Sequence, residues 1–287
     1  RPSPLTPLVT ARRFGVLKTD ADPYRRGARD VTEATARWLR ATAGRPRFAW
    51  VNYGDAEPPY TPPRDFVRPG LTGYPLQLRL NKQWRRAVSP PPSLCAHINE
   101  LYDGEISYVD AELGRLLTAL RRYGSPGGQV ILVLGDRGQN LAPPGGVDST
   151  LVTEQLEVPF ILYTTTQTHP PPRALTSHYD VAPTLLDILH IAPDDDMIGT
   201  SLLRQGTPKG VYTAIKDERG VVVSEVWTTT SQRWVVSGEG VRLYRLAESS
   251  GVWSEVASGG DLTDEVKTDV VGAPAAASEV FSTPAPR

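Results

Sequence analysis

The chain has 287 residues, enough for one large domain or a domain with an appendage. Its 31 Lys and Arg against 32 Asp and Glu give a formal charge of -1, so no overall field draws it to nucleic acid or to an anionic membrane. A single cysteine, Cys95, excludes an intrachain disulfide and a cysteine-rich metal cluster, and no run approaches the roughly 18 to 20 apolar residues that cross a bilayer.

The opening RPSPLTPL has neither an initiator Met nor an apolar signal core, so the chain reads as a soluble stretch that begins mid-protein. Asp30 followed by Glu33 predicts a capping-box start for a helix running to about Ala41. FAWVNY, 48–53, predicts a short buried strand. After a Pro-rich loop, a long helix is predicted over about 97–122, because Ile98, Tyr102, Ile106, Val109, Leu113, Leu116, Leu117 and Leu120 recur at spacings of three and four. QVILVLGD then reads as a strand covered on both faces, and strand, helix, strand makes a right-handed βαβ unit. VPFILYT, 158–164, is another strand. DVAPTLLDILH, 180–190, is a short helix with Pro183 in its first turn.

From about residue 209 the texture changes to short β-branched and aromatic runs separated by polar turns, the pattern of a small antiparallel sheet. The expected fold is therefore α/β: a mostly parallel sheet flanked by helices over 1–207, a small antiparallel subdomain over 208–260, and a weakly ordered tail over 261–287. Trp227, Trp234 and Trp253 fall at spacings that suit the core of that sheet.

Ligand sites of open α/β sheets lie outside the carboxyl ends of the strands, which singles out GDAEPPYTPP and GDRGQNLAPPGG. Asp136 at a strand end, followed by Arg137 and Gly138, is either a ligand for a hard cation or the former of a turn. Arg137 opposes a cation beside it, and either pairs with Asp136 or holds an anion. Tyr60 is packing in a stiff loop or a stacking surface for substrate. Asp194, Asp195 and Asp196 read as a solvated turn. None of His97, His169, His178 and His190 has metal-ligand spacing with another, and each reads as surface or cap.

FAWVNYGDAEPPYTPPRDF, LYDGEISYVDAELGRLLTALRRYG, QVILVLGDRG, EVPFIL, SHYDVAPTLLDILHIAP, GTSLL and SEVWTTTSQRWVVSGEGVRLYRLAE, in this order, resemble the sulfatases of the alkaline phosphatase superfamily over most of residues 30–260. The resemblance implies hydrolysis of a sulfate ester by a formylglycine made from Cys or Ser, beside a calcium ion held by carboxylates. It also implies that the family's paired Asp residues and its Cys/Ser-x-Pro-x-Arg motif belong to an amino-terminal half preceding Arg1, and Cys95-Ala96-His97 is not that motif. Asp136 matches a family metal ligand. Arg137 stands where a His or Asn ligand is expected, and Glu57 where the family has the histidine of its His-x-Pro-Tyr loop. Ser149 stands near the Lys or His that assists the leaving group.

The expectation is thus a sulfatase-type chain that is inactive by itself and needs no cofactor alone, with calcium only if an upstream half completes it. Two alternatives stand beside it: the carboxyl-terminal half of an active sulfate- or phosphate-ester hydrolase, and a noncatalytic binding or scaffold module. No nucleic-acid partner is expected. A strand such as QVILVLG without its neighbours has an open edge, so self-association is expected as well. An extracytoplasmic location follows from the resemblance alone.

Overall fold

The computed structural model describes residues 27–87, 90–125, 127–139, 141, 153–165, 173, 175–204, 206, 210–216, 222–237, 240–247 and 252–258. The chain divides into two compact units, residues 1–133 with 139–147 and 160–166, and residues 134–138 with 148–159 and 167–287. The expected tail, 261–287, lies outside the described residues.

In the first unit, α1 (Ala28–Ala41) begins two residues before Asp30, with Gly27 at its N-cap, so the predicted capping box is not formed. Its first amides find partners far along the chain instead. Ala28 N–H donates to Asp55 Oδ1 at 3.1 Å, and Arg29 N–H donates to the Tyr108 hydroxyl at 3.0 Å. A side chain brought in by the tertiary fold thus does what a local cap would do. At the other end, the Arg47 guanidinium donates to the carbonyls of Leu39 and Tyr123, satisfying the last turns of two helices with one cation.

Tyr74–Arg86 forms α2, which buries Gln77, Leu80, Asn81 and Trp84 on one stripe. Pro92–Tyr123 forms α3, starting five residues earlier than predicted because Pro92 takes the first turn, where its missing N–H costs nothing. Its buried stripe is Leu94, Ile98, Leu101, Glu105, Tyr108, Glu112 and Leu116, and Ile106 is 44% exposed. The helix is therefore rotated from the expected face. Two carboxylates on the inward stripe explain this: Glu105 accepts the Thr61 N–H at 2.6 Å, and Glu112 takes both oxygens to Arg115 at 2.9 Å. At Gly104 a Cβ would meet the Phe66 carbonyl at 2.7 Å, so glycine lets the 61–66 loop lie against the helix. The core of this unit is Tyr60, Leu71, Leu80, Trp84, Leu94, Ile98 and Leu101.

Residues 46–54 form neither helix nor strand, 48–53 makes no ladder among the described residues, and Phe48 and Trp50 are each 63% exposed. The predicted buried strand is corrected to an irregular, largely exposed segment, because composition gives a segment the preference for a strand while only a neighbour gives it a ladder. β1 (Val130–Leu134) pairs with β2 (Phe160–Thr164). Gly135 N–H donates to Pro159 C=O and Thr165 N–H to Gln129 C=O, so the end of each strand meets the start of the other and the pair is antiparallel.

In the second unit, α4 (Thr153–Leu156) is a single turn and α5 (Val181–Ile188) ends with His190 at φ 56. Ile191 N–H returns to Leu186 C=O at 2.9 Å, so His190, which its sequence position left as surface or cap, is the left-handed residue that closes the helix. Asp194–Asp196 is exposed, with Asp196 N–H on Asp194 Oδ1, a solvated turn.

The antiparallel sheet is realised as β3 (Val211–Lys216), β4 (Val222–Thr228), β5 (Gln232–Ser237), β6 (Gly240–Ala247) and β7 (Val252–Ser258), paired in sequence order. Trp227 lies opposite Trp234, and both are buried, as their alternation predicts. The side chain of Trp253 lies outside the described residues. Tyr212 donates its hydroxyl to Glu225, whose carboxyl is raised above the ordinary range by burial, opposed by that hydrogen bond. No helix of the described residues is long and apolar enough to cross a membrane.

Candidate functional site

The loop after 48–53 belongs to the first unit and is clamped from beneath by polar side chains of α2 and α3. Asn81 accepts the Tyr60 N–H on Oδ1 at 2.8 Å, and its Nδ2 donates to the Tyr60 carbonyl at 2.7 Å and the Gln77 carbonyl at 2.9 Å. Gln77 Nε2 donates to Pro62 C=O at 3.1 Å. The chain folds this way because a Pro-rich loop has few amides to pair internally, so buried amide side chains take over.

Asp55 is buried at the N-terminus of α1, where its charge and hydrogen bond favour the first turn. Tyr108, which shares that terminus, has its phenol pushed up by burial, opposed by the Arg29 N–H. Glu57 is exposed. Tyr60 is fully buried, its ring 6.2 Å from Trp84 and 5.4 Å from Tyr102, so neither face is open to a substrate. The stacking role is corrected to a core role.

The loop after β1 belongs to the second unit. Asp136 Oδ1 accepts the Arg137 N–H at 2.8 Å, and both side chains are exposed. The segment is pinned on each side: Gly135 N–H donates to Pro159 C=O and Gly138 N–H to Gln155 C=O, each at 3.0 Å. His178 Nε2 lies 2.8 Å from the Gly135 carbonyl, and since a carbonyl only accepts, that nitrogen carries the proton. His178 therefore meets the candidate loop, which its sequence position did not reveal.

Asp180 anchors this neighbourhood. Its Oδ2 accepts the Ser177 N–H at 3.0 Å and its Oδ1 the Thr200 N–H at 2.8 Å, within a capping box that opens the turn into α5. Ser149 lies outside the described residues.

Among the expected site residues, the structure thus brings together Asp136 and Arg137 and adds His178 beside them. Glu57 and Tyr60 lie in the other unit. Among the described residues no group of three or more His, Cys, Asp or Glu is placed to hold a metal ion. Asp136 spends one oxygen on its own turn and is followed by a fixed cation, so the described donors do not make a calcium site. Asn81, Gln77, Glu105 and Asp180 escaped the sequence reading. Their one signal was a polar residue recurring inside an apolar stripe, as with Glu105 and Glu112 in α3.

The Sulfatase family model matches residues 15–191. No curated protein matches the chain. Among solved structures, the phosphonate monoester hydrolase from Silicibacter pomeroyi is 17% identical with a TM-score of 0.63, over 95% of this chain and 63% of that one. The phosphonate monoester hydrolase of Agrobacterium radiobacter is 19% identical with a TM-score of 0.59, over 88% of this chain and 59% of that one. A protein of the alkaline phosphatase superfamily from Vibrio parahaemolyticus is 15% identical with a TM-score of 0.55, over 91% of this chain and 57% of that one. The chain thus spans less than two thirds of the length of these relatives, and the likeness is one of fold.

Proposed function

We propose, from the premise that this chain belongs to the sulfatase family, that by itself it does not hydrolyse sulfate esters. The observation that carries this reading is the Asp136–Arg137 turn: the one acidic candidate at the strand end is engaged by the next backbone N–H, and a guanidinium follows it. A permanent cation there disfavours a divalent ion. Glu57 supports the same reading, since an exposed carboxylate in the other candidate loop repels an anionic ester.

The test is turnover of 4-nitrophenyl sulfate by the purified chain with calcium supplied. No release above the buffer rate is expected. Release that is abolished by Asp136→Ala would overturn the reading.

A second reading is favoured by the chain's span of 57–63% of its solved relatives: that it is the carboxyl-terminal part of an active sulfate- or phosphate-ester hydrolase completed by further polypeptide. In that case the nucleophile and the remaining calcium ligands come with the added part. Phe48 and Trp50 are exposed apolar residues on the segment before the first candidate loop, and Ile161 and Tyr163, two apart on β2, expose one apolar side of that strand. These faces are where added polypeptide would pack. The isolated chain is then expected to self-associate with rising concentration in sedimentation velocity, and Trp50→Lys to weaken that association. A monodisperse monomer across the range removes this support.

A further inference from the structure

Two exposed faces, each within its own unit, set unneutralised charges of one sign beside exposed apolar side chains. In the first unit the ends of α1 and α3 are tied together by Arg47, which donates to the Leu39 and Tyr123 carbonyls. Arg40 lies in the last turn of α1, Arg121 and Arg122 in the last turn of α3, and Arg45 just beyond α1. All four are exposed, and among the described residues none forms an ion pair. No Asp or Glu occurs in 34–54 or 113–135. Phe48 follows Arg47 directly, and Phe48 and Trp50 both stand mostly in water.

In the second unit the opposite sign occupies 189–198. Leu189, Ile191 and Ile198 are each more than half exposed, and Met197 is exposed with them. Asp194, Asp195 and Asp196 are exposed in the same stretch, in a turn that the Met197 N–H closes on the Asp194 carbonyl at 3.2 Å. Among the described residues these carboxylates form no ion pair, and no Lys or Arg occurs in 174–203.

Local stability accounts for only part of each face. Cations in the last turn of a helix suit its dipole, which covers Arg40, Arg121 and Arg122 but neither Arg45 nor the aromatic rings beside it. The turn uses one of the three carboxylates, Asp194, whose Oδ1 accepts the Asp196 N–H. Solvation suits all three, but not the four apolar side chains around them.

We propose that the 189–198 face of one copy docks on the Phe48 and Trp50 face of a second copy of this chain. Apolar residues then form the centre of the contact and opposed charges its rim. Four arginines and three aspartates, each a self-repelling set, relieve one another. An anionic polymer or lipid surface would relieve the arginines alone and be repelled by the carboxylates. Apolar exposure by itself gives association without direction; the charges fix which face meets which. Because the two faces differ, a pair of copies keeps one of each kind open, and association continues past the dimer unless a ring closes.

The test is sedimentation velocity of the full chain at low salt and rising concentration, beside D194K/D195K/D196K and R45E/R121E/R122E. The parent is expected to grow past the dimer, and added salt to weaken its association by about ten-fold or more. Each variant alone is expected to stay monomeric, since both of its faces then carry one sign. The two variants mixed are expected to associate again, because every face finds the opposite sign on the other variant. Circular dichroism checks that both keep their secondary structure. Variants that associate as the parent does overturn the proposal and leave apolar exposure as the cause, and variants that stay apart on mixing overturn it too. So does a parent that remains monomeric. A monomeric parent that co-sediments with phosphatidylserine vesicles, and loses this in R45E/R121E/R122E, gives the basic face to a lipid surface instead. Association is read without turnover, so the result is independent of whether the chain hydrolyses an ester.

Discussion

Asn81→Leu is expected to cost about 2 to 5 kcal/mol, a large part of what holds a typical domain together. Leucine branches at Cγ as asparagine does and is larger, so the change leaves no cavity. What it removes is three hydrogen bonds at a site only 2% exposed, two of them to the backbone of Tyr60. The Tyr60 N–H and C=O then stay in the core without partners, and each such group costs about 1 to 3 kcal/mol. Tyr60 is itself packed on Trp84 and Tyr102, so the chain cannot turn those groups to water without opening the core.

Urea denaturation checks this, with a lowered midpoint at unchanged slope. Gln77→Met, which removes one bond to Pro62, is expected to cost only about 1 kcal/mol. Asn81→Asp separates hydrogen bonding from volume further. A carboxylate oxygen would face the carbonyls of Tyr60 and Gln77, so the folded state would raise its pKa. An acid raised in this way favours the fold while protonated and loses that contribution as pH climbs past the unfolded value of about 3.9. The Asp variant should therefore recover stability on acidification relative to Asn81→Leu. A cost below about 1 kcal/mol for Asn81→Leu would mean that the loop is held by packing alone.

The contrast between α3 and the 48–53 segment shows which parts of the fold are legible in the residues. The helix is readable because a spacing of three and four is a local property, and GDRG is readable as a strand-end loop for the same reason. Which side of α3 turns inward is not local. Glu105 is buried because Thr61 offers it an N–H from 44 residues away, and a hydropathy pattern counts it as an outward residue. FAWVNY has the composition of a strand, but its burial depends on a neighbour that composition cannot supply. Trp227 and Trp234 were legible because alternation across a short hairpin is again nearly local.

The candidate site divides in the same way. Asp136 and Arg137 announce themselves by position, whereas Asn81 and Asp180 act on backbone groups 20 or more residues away. The sequence reading left Tyr60 between packing in a stiff loop and a stacking surface, and the structure places it in the core, where the amides of that loop are met from below. Polar residues that serve another segment's backbone carry no periodic signal, so they emerge only once the chain is folded.

Asp180→Ala is expected to cost about 3 to 5 kcal/mol locally, since two hydrogen bonds to one buried carboxylate are lost and each is charge-assisted. The carboxylate joins Ser177, before α5, to Thr200, after it. Thr184, one turn into α5, accepts the Leu202 N–H at 2.9 Å while donating to the Asp180 carbonyl. Gly199 lies against the Tyr179 carbonyl with no room for a Cβ, so the returning segment has no other path. Without the carboxylate, residues 199–202 should detach from the start of α5.

The expected readout is loss of hydrogen-exchange protection at the Thr200 amide and then at Leu202. This local measure is preferable to a melting curve, because a chain with two compact units need not unfold in one step. Asp180→Asn keeps the shape and one acceptor oxygen, so it should lose about half as much. His178 stands two residues before Asp180 and donates to the Gly135 carbonyl, so loosening the turn should also release the strand-end loop that carries Asp136 and Arg137. Thr200 exchange that stays at the parent's rate in Asp180→Ala would show that the segment is fixed by Thr184 and Gly199 alone, and the carboxylate would lose its place as the anchor of the candidate site.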